Sequence, residues 1–157
     1  MSKIGIKQHD HSDCGAACLA SISEHYKLSL PIARIRQYAN TNQKGTTLLG
    51  LREAAITLGF IAKGVKTSIE SLEEIPLPAI AHIMVKLEQH EFPHYIVIYK
   101  VTKSYVKVMD PSNGKLEKKP IEEFKKIFTG FMLILIPDED IFKQRNEKFS
   151  NIKRMAF

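Results

Sequence analysis

Cysteine is scarce in this chain, with two among 157 residues, and both fall in one short segment, at positions 14 and 18. Four apart on one helix, their Cβ vectors tilt the same way along the axis, which excludes a disulfide between them. A zinc centre needs about four ligands, and no second Cys or His pair stands at metal-ligand spacing, so no metal is expected. Long apolar runs are also lacking. The longest, around Ile96 and from Phe131 to Pro137, are strand-sized and fall far short of the roughly 20 residues that span a bilayer. There is no secretory signal pattern, internal repeat or low-complexity tract. With two cysteines and no such signal, the chain reads as belonging to a reducing compartment.

Acidic excess is absent too: the formal net charge is +6. A basic domain can bind nucleic acid or an anionic membrane surface. The lysines from Lys115 to Lys126 are interspersed with glutamates, however, and there is no aromatic platform, helix-turn-helix signature or zinc spacing, so no nucleic-acid partner is expected. The tail carrying Lys143, Arg145, Lys148, Lys153 and Arg154 is suited to a cytoplasmic leaflet. At 44% hydrophobic, the chain can bury roughly two-thirds of its unfolded surface as one globular domain without cross-links.

What is present concentrates between Gln8 and Cys18, in the run Gln-His-Asp-His-Ser-Asp-Cys-Gly-Ala-Ala-Cys. Cys14 opens an apolar helix, with Asp13 placed to cap it. The unpaired N–H groups and positive dipole end there favour a thiolate. Gln8, six positions earlier, can bring its side-chain NH₂ beside the same sulfur. With the Cys14 backbone N–H, that makes two donors for one developing oxyanion.

Further along, His94 opens the run His-Tyr-Ile-Val-Ile-Tyr, and Tyr105 to Asp110 alternates like a half-buried strand. With a turn centred near Lys103, antiparallel pairing brings His94 within a residue or so of facing Asp110, where the carboxylate can fix the imidazole tautomer. Pro111 ends that strand. A helix-opening cysteine is by itself more often a packing residue than a nucleophile; Gln8, His94 and Asp110 change the balance. His9, His11, His25, His82 and His90 have no strand-paired carboxylate and are assigned as structural, with the reservation that His82 lies on an apolar segment that can approach the cleft.

Helices are expected from Cys14 to Tyr26, from Ser29-Leu30-Pro31 onward, from Thr47 to Leu58 with Gly59 as its stop, from Ser68 to Glu74 and from Pro120 to Phe128. Strands are expected at Phe60 to Val65, Ala79 to Val85, His94 to Val101, Tyr105 to Asp110 and Phe131 to Ile136. Helices first and an antiparallel sheet second indicate an α+β fold with a cleft between the layers.

The segment from Gln8 to Ala20, with His94 to Ile98 and Met109-Asp110-Pro111, resembles the peptidase domain of bacteriocin-processing ABC transporters, the C39 family of papain-like cysteine peptidases. The resemblance runs from about Lys3 to Pro137. It implies a papain-like fold with N-terminal helices packed on a C-terminal antiparallel sheet, a triad of Cys14, His94 and Asp110, and Gln8 completing the oxyanion hole. It also implies cleavage of a secretion leader peptide after Gly-Gly or Gly-Ala, with the leader docking as an amphipathic helix. Leu48 and Leu51 on the third helix are candidate anchors for it, ordinary core packing being the other reading. Residues 1–137 are then the peptidase domain and 138–157 a charged linker towards membrane and ATPase domains, at the cytoplasmic face of a bacterial membrane. No cofactor is implied for the peptidase domain itself; ATP and magnesium belong to the ATPase domain. The alternative is a peptidase-like module that binds secretion substrates without cutting them.

Overall fold

In the computed structural model, which describes residues 5–6, 13–28, 30, 32–39 and 47–140, the chain opens with three helices, α1 (Cys14–His25), α2 (Ile32–Ala39) and α3 (Leu48–Leu58). Strand β1 (Phe60–Lys66) and a 3-10 turn (Leu72–Glu74) follow. Then come β2 (Ala79–Leu87), β3 (His90–Val101), β4 (Tyr105–Asp110), β5 (Lys115–Pro120), α4 (Ile121–Ile127) and β6 (Phe128–Pro137). The six strands form one antiparallel sheet in the order β1-β6-β2-β3-β4-β5.

Alternation along the strands builds two cores. Ile80, Tyr95, Val97, Tyr99, Met109, Leu133 and Leu135 face α1, α2 and α3. Their neighbours Ala81, Ile96, Ile98, Val106, Val108 and Met132 pack with Leu72 and with Phe124 of α4 on the other side. The period of two thus sorts one sheet into two apolar layers.

α1 is buried from Cys14 through Ser23, not along one stripe. Gly15, Ala16, Ala17 and Ala20 keep it slim enough to run between β3 and the other two N-terminal helices. Its two buried serines are satisfied: Ser21 Oγ lies 2.7 Å from the Tyr99 hydroxyl, and Ser23 Oγ donates to the Leu19 carbonyl at 2.8 Å.

α3 starts where Thr47 Oγ1 accepts the Gly50 N–H at 3.0 Å, and it stops at Gly59, whose φ of 107° suits a residue without Cβ. The helix expected from Ser29-Leu30-Pro31 begins at Ile32, with Ser29 and Pro31 outside the described residues. Between Ser68 and Glu74 only a single 3-10 turn forms, where a longer helix was expected. The strand β5 was missed from the sequence because Lys115-Leu116-Glu117-Lys118-Lys119-Pro120 is charged on both faces. That composition, closed by a proline, is how an edge strand avoids pairing with another chain.

Candidate active site

Cys14 is the first residue of α1 and is 8% exposed. His94 lies in β3, and Asp110 is the last residue of β4. His94 Nε2 is 2.7 Å from Asp110 Oδ1, and the His94 ring also hydrogen-bonds the Cys14 side chain. Since Nε2 faces the carboxylate, Nδ1 is the nitrogen left for sulfur. The helix layer therefore contributes the thiol and the sheet contributes the imidazole and carboxylate, at the junction of the two layers.

The register beside Asp110 is that of a turn centred on Lys103, but the His94–Asp110 pair is offset by two residues, one more than expected. Met109 pairs with Val97, so continuing by one residue sets Asp110 opposite Ile96. His94 reaches Asp110 diagonally from two positions further along the strand, a separation that long side chains span. Nearer the turn, Lys100 pairs with Lys107 and Val101 with Val106, one residue out of that register, and the shift between Ile98 and Lys100 takes up the difference.

Asp110 is held by the turn that follows it. Its Oδ1 accepts the Ser112 N–H at 2.9 Å, and its backbone carbonyl accepts the Asn113 and Gly114 N–H groups at 3.2 and 2.8 Å. Gly114, with φ of 71°, lets the chain reverse into β5. The sequence Asp-Pro-Ser-Asn-Gly thus ends β4 and fixes the carboxylate in one step.

Burial acts against charge on both groups, and their pairing overrides it. Burial lowers the His94 pKa, but hydrogen bonds to Asp110 and Cys14, with the charges of both, push it up to about 9. Burial likewise raises that of Asp110, yet the His94 hydrogen bond and the Ser112 N–H bring it down to about 2. At neutral pH the site therefore holds an imidazolium and a carboxylate, the charge state that stabilises a thiolate.

The other site residues divide cleanly. Gln8, His9 and His11 lie outside the described residues. Both described cysteines are free thiols, and Cys18 is buried, a setting that, with Cys14 and Asp110 nearby, pushes its thiol pKa well up. His25 packs edge-on against Tyr26. His90 stands at the exposed start of β3.

His82 pairs with Tyr95 across β2 and β3, with its ring edge-on to the phenol. Its Nδ1 is 2.9 Å from Thr129 Oγ1, which in turn donates to the His82 carbonyl at 3.0 Å. With that hydroxyl proton committed, Nδ1 carries the imidazole proton. Burial and the nearby His94 charge lower its pKa. Tyr95, next to His94, was not singled out from the sequence; burial and the two cysteines push its phenol up to about 12 and keep it neutral.

Two expectations need correction. Asp13 occupies the N-cap position of α1 but makes no side-chain capping bond; its Oδ1 instead lies 2.7 Å from Arg36 Nε on α2. Leu51 is not a surface anchor, because it is 0% exposed within the helix-side core. Leu48 is half-buried against that core, and the leucine that α3 shows to solvent is Leu49, 62% exposed. Truncating Leu51 to alanine is expected to cost about 2 to 5 kcal/mol of stability. The same change at Leu49 should stay within about 0.5 kcal/mol, and denaturant titration of both variants checks the contrast.

The Peptidase C39 family model matches residues 3–140. This chain belongs to that family. It is 40% identical over 139 residues to the lactococcin-G-processing and transport ATP-binding protein LagD of Lactococcus lactis subsp. lactis, covering 87% of this chain and 19% of that protein. The chain thus spans about a fifth of the length of that curated relative. Among solved structures, the peptidase domain of Streptococcus ComA, a bi-functional ABC transporter, superposes with a TM-score of 0.77 at 32% identity, covering 87% of this chain and 99% of that one. A double glycine motif protease from an AMS/PCAT transporter, solved in complex with its leader peptide, matches with a TM-score of 0.77 at 31% identity, over 86% and 92% of the two chains. The α+β fold, with helices packed on an antiparallel sheet, is that of the C39 cysteine peptidases.

Proposed function

We propose that this C39 peptidase removes the leader from a secreted peptide precursor, cutting after a Gly-Gly or Gly-Ala pair, as the N-terminal domain of an ABC exporter. The observation that carries this reading is the 2.7 Å His94–Asp110 bond on an imidazole that also bonds the helix-opening Cys14 thiol. Relatives that process and transport bacteriocins, and a structural neighbour bound to a leader peptide, support the substrate class.

Cys14 attacks the scissile carbonyl as a thiolate. The carbonyl oxygen takes up negative charge against the Cys14 backbone N–H and the Gln8 amide. His94 gives its proton to the leaving amine as the C–N bond breaks, leaving a thioester on Cys14. The now neutral ring takes a proton from water as the water attacks that thioester, and collapse of the adduct releases the acid product and restores the Cys14 thiolate beside the His94 imidazolium. Asp110 orients the ring throughout. Small residues before the cut allow a narrow channel to reject larger side chains, while helix docking outside it supplies affinity. Leu48 remains a candidate contact for the leader helix, joined by Leu49 and Ile56 on the exposed side of α3.

In this reading residues 1–137 are the catalytic unit and 138–157 lead towards membrane and ATPase domains, which alone use ATP and magnesium. The site works at the cytoplasmic face of the membrane. No helix among the described residues is long and apolar enough to cross it.

A synthetic precursor carrying a Gly-Gly junction tests the proposal directly. With it, Gln8→Ala is expected to lower kcat by about 10² to 10³, about 3 to 4 kcal/mol, the cost of one oxyanion donor. Turnover near that of the unaltered chain would remove Gln8 from the role.

A further inference from the structure

Away from the cleft, the sheet carries a row of lysines that the chemistry does not use. Lys100 of β3 pairs with Lys107 of β4, and Lys107 pairs with Lys118 of β5, so three lysines stand directly opposite one another across adjacent strands. Residues paired in this way share a sheet face. Val106 and Val108, on either side of Lys107, belong to the core on the α4 side, so the row lies on the face that elsewhere carries α1 and α3. Those two helices pack on β1, β6, β2 and β3, and both Lys100 and Lys118 are exposed, with Lys107 half-buried between them. Lys118 Nζ stands 4.8 Å from the centroid of the Tyr105 ring, two residues from Lys107 on the same face.

The row works against the sheet that bears it, because like charges directly opposite on neighbouring strands are destabilising. Among the described residues no carboxylate pairs with any of the three. Glu117 and Lys119, the neighbours of Lys118 in β5, point to the opposite face and bridge each other there at 3.4 Å. The strand thus sorts its charges, with a neutral pair on one side and unopposed cations on the other. Edge protection accounts for lysine on β5, but β3 and β4 are interior strands and need none.

The donors indicate the kind of anion. A lysine is a compact point charge on a flexible stem, whereas a specific phosphate or carboxylate site favours arginine forks. Three lysines spread over about 10 Å of sheet, with a tyrosine beside them, match a diffuse anionic surface, where a phenol sits at headgroup level and the ammonium groups reach the phosphates. Lys100 lies six residues along β3 from His94, roughly 20 Å, so a surface held there leaves the catalytic imidazole clear.

We propose that Lys100, Lys107 and Lys118, with Tyr105, form a docking face for the surface of an anionic phospholipid bilayer. The proposal rests on the reading that the peptidase works beside a membrane, and it names the face that the folded domain turns towards it.

The test is sedimentation of the whole chain with vesicles of phosphatidylcholine, alone or mixed equally with phosphatidylglycerol, beside cleavage of a soluble Gly-Gly precursor. Binding is expected only to the anionic vesicles and should fall steeply as salt is added. The triple variant Lys100→Gln, Lys107→Gln, Lys118→Gln is expected to lower the partition coefficient by about 10²-fold, about fivefold for each lysine. It should cleave the precursor as before and melt no lower than the unaltered chain, since a repulsion has been removed. A second triple variant, Lys63→Gln, Lys66→Gln, Lys86→Gln, removes the same charge from exposed positions outside the row and should keep most of the binding. The basic tail from Lys143 to Arg154 is present in every variant, so its contribution cancels. Equal losses in the two triple variants would mean that net charge alone acts, and that overturns the proposal. So does failure of the unaltered chain to bind anionic vesicles, or tighter binding to a poly-glutamate peptide, which would assign the row to an acidic protein segment. Should the row variant fail to fold, Lys118→Gln on the exposed edge strand decides alone, by a fivefold loss or its absence. Vesicle binding that depends on the row, without precursor cleavage, supports the docking face and removes the peptidase reading instead.

Discussion

Cys14→Ala is expected to abolish cleavage of a Gly-Gly precursor, a loss of about 10⁶ in kcat, while leaving precursor affinity within about twofold. The asymmetry follows from where the sulfur sits. It is 8% exposed at the mouth of a buried helix, so its removal takes away one reactive atom without disturbing the outer surfaces available to a leader helix. The change is also small enough for α1 to accept, since Ala16, Ala17 and Ala20 already line it. Fluorescence anisotropy with a labelled precursor, alongside a cleavage assay, separates the two quantities. If the unaltered chain binds the precursor but never cuts it, the domain is a substrate-holding module. If both cleavage and affinity vanish in the alanine variant, the sulfur is part of the docking surface and the division between chemistry and recognition is wrong.

His94→Ala should be nearly as damaging, lowering kcat by about 10⁴ to 10⁶, because it removes both the base and the counter-ion of the thiolate. It also carries a pH signature in stability that an ordinary truncation lacks. The folded value of about 9 for His94 lies above its ordinary 6.5, so the contribution of the pair is whole below about pH 6.5 and is lost as pH rises through 9. Asp110, at about 2 against an ordinary 3.8, contributes above about pH 4 and loses that contribution as pH falls towards 2. Both shifts describe the same contact and are not summed. The stability gap between the unaltered chain and His94→Ala should therefore be widest between about pH 4 and 6.5 and narrow on either side, above a constant part due to lost packing. Urea titrations across that range give the profile. A gap of constant size would mean that the imidazole and carboxylate do not form a charged pair.

The site was legible in the sequence where its chemistry is local. A helix opening on Cys14 and a hairpin joining the strands of His94 and Asp110 are both short-range features, and the hairpin brings its two residues together across a 16-residue separation. Gly59 and Gly114 mark turns for the same reason: each has a backbone angle that only nearby sequence needs to specify. Detail failed where tertiary packing decides. The register of β3 on β4 shifts by one residue between Ile98 and Lys100, and beyond it Asp110 stands opposite Ile96, so His94 meets the carboxylate diagonally. Which leucine of α3 faces the core depends on how α3 sits against β1, and that choice buried Leu51 and exposed Leu49. Arg36 gave no signal at all. Its partner is 23 positions away on another helix, and only the packing of α1 on α2 reveals that the Asp13 side chain has left the helix cap for it.

The central claim is that Cys14 is the nucleophile and His94 activates it, and the most direct measurement is the alkylation rate of each cysteine at neutral pH, with His94→Ala beside the unaltered chain. Cys18 is an internal reference, fully buried on the same helix with its thiol pKa pushed upward, so its alkylation reports opening of the core. Cys14 is expected to be alkylated quickly, with Cys18 silent under the same conditions, and to lose that advantage without His94. Equal inertness of both cysteines, or a Cys14 rate indifferent to His94, would contradict it.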